Sequence, residues 1–171
     1  TYTIATERKD SYRLQAEALA QLCGTLGKGQ KILILNNPCN PTGAVYPDQE
    51  LQALAKVCHE EEVIVISDEI YSLIDFRKEK FSSIGRYLPE STVVTGGMSK
   101  AFSAGGWRLG LAFVPDAMSD MIKPWNALIS ETFSCVNAPV QYAALEAFSQ
   151  FEALRPPVSY THLRAHETHE N

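Results

Sequence analysis

Four short, largely apolar runs constrain the fold of this chain more than any other feature. Ile32-Leu33-Ile34-Leu35, Val63-Ile64-Val65-Ile66 and residues 92–95 and 109–114 are each too short for a helix. None alternates as a strand with one wet face would, so they suit strands buried on both faces. Between them lie helical stripes. Leu14, Ala18, Leu19 and Leu22 recur on a helical period in residues 11–23, with Asp10 or Ser11 as the cap and Gly24, Gly27 and Gly29 as the end. Pro47 suits a first helical position, followed by the stripe Leu51, Leu54, Ala55 and Cys58. Residues 115–128 and 137–149 also read as helices. The alternation predicts an α/β fold, a mainly parallel sheet with helices on both faces. The link between residues 95 and 108 is too short for a crossover helix, so the strand at 109–114 is expected to run antiparallel to a neighbour.

In such sheets ligands bind beyond the carboxyl ends of the strands. Three polar groups stand there: Asn36-Asn37, leading into the proline-rich loop with Asn40-Pro41-Thr42-Gly43; Ser67-Asp68-Glu69-Ile70-Tyr71; and Ser99-Lys100, with Gly105-Gly106-Trp107-Arg108 close behind. Each residue has an ordinary alternative. Asp68 can cap the next element, Tyr71 can be a half-buried core tyrosine, Asn40 a turn residue held extended by Pro41, and Lys100 a solvated lysine. As a set they suggest a site for an anionic aromatic cofactor. A desolvated lysine amine forms Schiff bases, and an arginine fork among glycines suits a phosphate. A nucleotide triphosphatase reading of Asp68-Glu69 fails, because Gly24-Thr25-Leu26-Gly27-Lys28-Gly29 has neither the spacing nor the hydroxyl residue of a phosphate loop.

Together these residues resemble the pyridoxal-phosphate-dependent aminotransferases of fold type I, the class I/II aminotransferase family. The resemblance covers roughly residues 36–149. Asn40-Pro41-Thr42-Gly43 is similar to the family's N-P-T-G loop, Asp68 to Tyr71 to its D-x-x-Y, and Ser99-Lys100 with Gly106-Trp107-Arg108-Leu109-Gly110 to its S-K…G-x-R-x-G. The intervals, 28 residues from Asn40 to Asp68 and eight from Lys100 to Arg108, are also the family's. The resemblance implies that Lys100 carries the cofactor as a Schiff base and then moves the α-proton of the substrate. It implies that Asp68 pairs with the pyridine nitrogen, that Tyr71 and Asn40 hydrogen-bond the ring's phenolic oxygen, and that Ser99 and Arg108 hold the phosphate. Lys100, Asp68 and Tyr71 are thus the expected catalytic residues. The expected activity is amino-group transfer between an amino acid and a 2-oxo acid. A lyase or synthase on the same scaffold, of the C–S lyase or aminocyclopropane-carboxylate synthase kind, shares these motifs, as does a non-catalytic pyridoxal-phosphate-binding regulator domain.

One position departs from the pattern: many members carry Ser or Thr three residues before the lysine, where this chain has Gly97. The family is usually more than twice this length. Its upstream phosphate loop, the aromatic that stacks on the ring, the downstream carboxylate-binding arginine and the small domain have no counterpart here. Residues 1–154 are therefore expected to be a partial cofactor-binding large domain, truncated at both ends and inactive alone. Ser134, Asn137 and Gln141 resemble a region near the family's dimer interface, and the full-length protein is expected to be a homodimer. A net charge of −5 argues against nucleic acid as partner. No apolar run reaches the ~18 residues of a membrane span. Four scattered cysteines, Cys23, Cys39, Cys58 and Cys135, fit a reducing, cytoplasmic setting. His162, His166 and His169 have helical spacing, but no metal is expected. Residues 158–168 resemble a translated adapter of transposase-based sequencing libraries, so 155–171 is expected to be an artefactual tail, set aside from the fold.

Overall fold

The computed structural model describes residues 1–74, 77 and 80–154. The tail, with His162, His166 and His169, lies outside the described residues. Four strands form one sheet in the order β1 (Lys31–Asn36), β2 (Val63–Asp68), β3 (Thr92–Gly97) and β4 (Gly110–Phe113). The first three run parallel, and β4 is antiparallel to β3, as the short link before it predicted. The helices are α1 (Ala16–Thr25), α2 (Asp48–Glu60), α3 (Ile122–Thr132) and α4 (Ala138–Ser149).

Helix α2 forms where its stripe predicts. Pro47 is its extended N-cap rather than its first helical residue, and Asp48 and Glu50 place negative charge in the first turn, where the helix dipole favours it. Leu51 and Leu54 are fully buried, with Ala55 and Cys58, in a core shared with Leu19 and Cys23 of α1 and Val63 and Val65 of β2. That burial pushes the Cys58 thiol up to about 12.

Helix α1 begins five residues later than its periodicity suggested. A 3-10 turn at Arg8–Asp10 comes first, and Ser11 and Tyr12 both adopt positive φ (54° and 57°), so neither Asp10 nor Ser11 caps the helix. Leu14 still reaches the core because distant residues fix the approach. Its N–H donates to the Tyr46 hydroxyl (2.7 Å), and Arg13 forks onto the Glu50 carboxylate (2.7 and 2.9 Å).

The unbroken apolar pattern of β1 predicted cover on both faces. The structure covers one. Leu33 and Leu35 pack with the α1–α2 core, whereas Ile32 and Ile34 are 59% and 73% exposed. Both helices pack on the first face, and no helix among the described residues lies over these two isoleucines.

A second core sits toward the β3–β4 end of the sheet. Met98, Ala104 and Leu109 pack with Ala144 of α4, and Phe102 meets Phe148 edge-on at 4.9 Å between ring centres. This cluster anchors the loop that carries Ser99 and Lys100 from both sides. The segment after β4 starts as a 3-10 turn, Asp116–Met121, before α3 takes over.

Candidate functional site

The strand register sets three side chains in a row at the carboxyl ends of the parallel strands. Asn36 pairs with Asp68, and Asp68 pairs with Thr95, so all three lie on one face. Asn36 ties two loops together. Its Nδ2 donates to the Asp68 carbonyl (3.1 Å), and its Oδ1 accepts the backbone N–H of Asn40 (2.8 Å). The Asp68 carboxylate is half-buried and accepts long hydrogen bonds from the Ile70 N–H (3.3 Å) and the Thr95 hydroxyl (3.5 Å). These weak contacts leave most of its capacity for a ligand.

Asn40, Tyr71 and Lys100 come from three different segments and meet. The Asn40 Nδ2 donates to the Tyr71 hydroxyl (3.1 Å), and the Lys100 Nζ lies 5.5 Å from the centre of the Tyr71 ring. An ammonium over a phenol face is held by the ring quadrupole. Lys100 and Tyr71 are half-buried and Asn40 is exposed, so the group opens outward rather than into the core.

Ser99 is half-buried beside Lys100. Arg108 is exposed, in a left-handed conformation just before β4, and its Nη1 donates to the Gly105 carbonyl (2.6 Å). Among the described residues, no hydrogen bond links either of them to the Asn40–Tyr71–Lys100 group. Because β4 runs antiparallel, its start lies at the same sheet edge as the end of β3, which brings Arg108 to the side where the parallel strands end.

Gly97 stands where many relatives of the resembled family carry a hydroxyl, and the packing gives a reason. A Cβ there would lie 2.7 Å from the Leu109 carbonyl oxygen and 3.1 Å from the Gly110 Cα, both backbone atoms. In the intact protein Gly97→Ser is expected to lower stability by about 1–3 kcal/mol. Urea unfolding should show a lower midpoint at unchanged slope; an unchanged midpoint would mean that β3 and β4 separate there without cost.

Several residues that shape the candidate site had no sequence signal beyond their place at or near a strand end: Asn36, Thr95, Asn37 and Glu69. Asn37 is fully buried; its Oδ1 accepts the Tyr46 N–H (3.2 Å) and its Nδ2 donates to the Ser82 carbonyl (3.4 Å). The Glu69 carboxylate is buried between the Ser67 and Ser83 hydroxyls, and burial pushes its pKa up, against the two hydrogen bonds.

Chemically, the face offers a carboxylate for a protonated ring nitrogen and an amide–phenol pair for an oxyanion. It adds a primary amine for an aldehyde, and a guanidinium and hydroxyl for a phosphate. Gly96 and Gly106 leave open space beside them, with nothing within 4 Å of a notional Cβ.

The family model for aminotransferase class I and II matches residues 1–169. The chain is 41% identical over 125 residues to the aspartate/prephenate aminotransferase of Thermus thermophilus, covering 73% of this chain and 31% of that protein. It is 36% identical over 132 residues to the aspartate aminotransferase of Bacillus subtilis, covering 75% of this chain and 33% of that protein. The structure superposes on a Thermus thermophilus aspartate aminotransferase solved with maleate at a TM-score of 0.80, with 34% identity, over 92% of this chain and 39% of that one. The chain thus spans about a third of the length of the curated relatives it matches.

Proposed function

Because this chain belongs to the aminotransferase class I and II family, we propose that the whole protein is a pyridoxal-phosphate-dependent aminotransferase. It would move an amino group between an amino acid and a 2-oxo acid. The observation that carries the reading is the meeting of Asn40, Tyr71 and Lys100 on the face where Asp68 ends β2. Residues 1–154 are its cofactor-binding large domain in part.

Bound in such a site, the cofactor supplies a ring that withdraws electrons from the substrate's α-carbon. The remaining work falls to side chains. The Asp68 carboxylate accepts the proton-bearing ring nitrogen and favours its charge. Tyr71, oriented by the Asn40 amide, and Asn40 itself donate toward the ring oxygen. Lys100 would provide the amine that holds the cofactor and the base that would carry a proton at Nζ. Ser99 and Arg108 would hold the phosphate; the Arg108 Nη1 that donates to the Gly105 carbonyl leaves the other guanidinium N–H groups for it.

The names of the relatives favour transfer over the lyase and regulator readings and make aspartate the first donor to test. We place the protein in the cytoplasm, supported by four free cysteines, of which Cys23 and Cys58 are buried, and no helix among the described residues is long and apolar enough to cross a membrane. A homodimer is supported by the exposed apolar side chains of α3 and α4, such as Leu128, Tyr142 and Leu145, which need cover.

The test is the intact protein purified with pyridoxal phosphate. A visible absorbance band from the lysine-bound cofactor is expected; aspartate should abolish it and a 2-oxo acid restore it, without release of ammonia. Absence of the band sinks the cofactor assignment, and ammonia release points to the lyase.

A further inference from the structure

Behind the cofactor-facing row runs a second layer of buried polar contacts, centred on Glu69. Ser67 lies on the helix-covered face, since it pairs with Leu35, and Glu69 joins it there while Asp68 faces the other way. The Glu69 Oε1 accepts hydrogen bonds from the Ser67 hydroxyl (2.9 Å) and the Ser83 hydroxyl (2.5 Å). Its N–H donates to the Thr95 carbonyl (2.9 Å), and its own carbonyl accepts the Ser72 N–H (2.9 Å), closing the turn that carries Tyr71. Ser83 in turn accepts the Gly85 N–H (3.1 Å) and caps the 3-10 turn Ile84–Arg86, whose Ile84 is fully buried. The neighbouring Ser82 carbonyl receives the Asn37 amide, the residue that starts the loop to Asn40. One short segment, Ser82-Ser83, therefore braces both loops that supply Asn40, Asp68 and Tyr71.

A buried carboxylate is a costly way to hold two strands together; apolar side chains would do it more cheaply. Its two hydroxyl partners fix the turn between Asp68 and Tyr71 in direction as well as position. We propose that Glu69, braced by Ser83, is a positioning residue that sets the Asp68-to-Tyr71 geometry for the cofactor. The inference rests on the cofactor reading above. It concerns residues that do not touch the cofactor, so it acts through the placement of others.

The experiment uses the intact protein and two variants, Glu69→Gln and Ser83→Ala, each prepared without cofactor and then titrated with pyridoxal phosphate. Melting of the cofactor-free forms is measured alongside. Well below the melting temperature, Glu69→Gln should weaken cofactor binding about tenfold. It should also raise the pH midpoint of the visible band by about half a unit, because Tyr71 and Asn40 then hold the ring oxygen less firmly. Ser83→Ala should shift both readings in the same direction by less. A purely structural role would lower the melting temperature and leave affinity and midpoint at wild-type values, and that result overturns the proposal. If Glu69→Gln does not fold, Ser83→Ala decides, since it keeps the carboxylate and the Ser67 donor. A wild-type protein with no visible band overturns the cofactor reading itself, and is told apart by needing no variant.

Discussion

Lys100→Ala in the intact protein is expected to abolish the visible band and to cut amino transfer by about 1,000-fold or more, while melting within a few degrees of wild type. The rate loss combines two roles. In the proposed mechanism the amine would attach the cofactor covalently and the same nitrogen would then carry the proton, a contribution of roughly 100- to 10,000-fold for a positioned base. Alanine supplies neither. The stability change is small because Lys100 is half-buried on a loop and its described contact is the face of Tyr71 at 5.5 Å, an interaction of about 0.5–1 kcal/mol at such a site. The loop itself is anchored by Met98, Ala104 and Phe102, which the substitution leaves alone. Spectroscopy, single-turnover rates and melting curves on one preparation separate these effects. A Lys100→Ala protein that keeps the band would remove Lys100 from the attachment role.

The strands and the α2 stripe were legible in the sequence because burial imposes its own period. Leu51, Leu54, Ala55 and Cys58 repeat as one helix face and are buried as one face. The antiparallel β4 followed from a link too short to cross the sheet. What failed was set from a distance. The start of α1 depends on Tyr46 and Glu50, 32 and 37 residues from the backbone and side chain they hold. The open face at Ile32 and Ile34 depends on what covers β1, which no feature of the run itself encodes.

The site divides along the same line. Asn40, Asp68, Tyr71, Lys100 and Arg108 stood out as candidates because they sit in motifs at predicted strand ends, and the structure brings Asn40, Tyr71 and Lys100 together. Asn36 and Thr95 were not assigned, because their role exists only once register sets them beside Asp68. Glu69 read as part of an acidic pair. Its burial depends on Ser83, fourteen residues on, beyond any local pattern. Gly97 read as a departure from the resembled family, and only the approach of the Leu109 carbonyl shows why a side chain is excluded there.

The second large effect is expected at Asp68. In the intact protein Asp68→Asn should lower the rate of transfer by about 100- to 1,000-fold, the scale seen when one preorganised electrostatic partner is removed. The folded protein should hardly notice. The hydrogen bonds to the carboxylate are long, 3.3 Å from the Ile70 N–H and 3.5 Å from the Thr95 hydroxyl, and an amide oxygen can accept both. Shape, volume and backbone contacts are kept, and the Asn36 amide still reaches the residue 68 carbonyl. Only the negative charge disappears, and with it the group proposed to favour a proton on a facing ring nitrogen. Asp68→Glu keeps the charge but moves it outward by one methylene, so it should fall between wild type and Asp68→Asn. The rates are to be read at saturating cofactor, with cofactor content measured on each variant. A loss of rate at full occupancy assigns the charge to the chemistry. A loss that vanishes when occupancy is restored would make Asp68 a cofactor-binding residue alone, and a rate within tenfold of wild type at full occupancy would remove it from the electron-sink role.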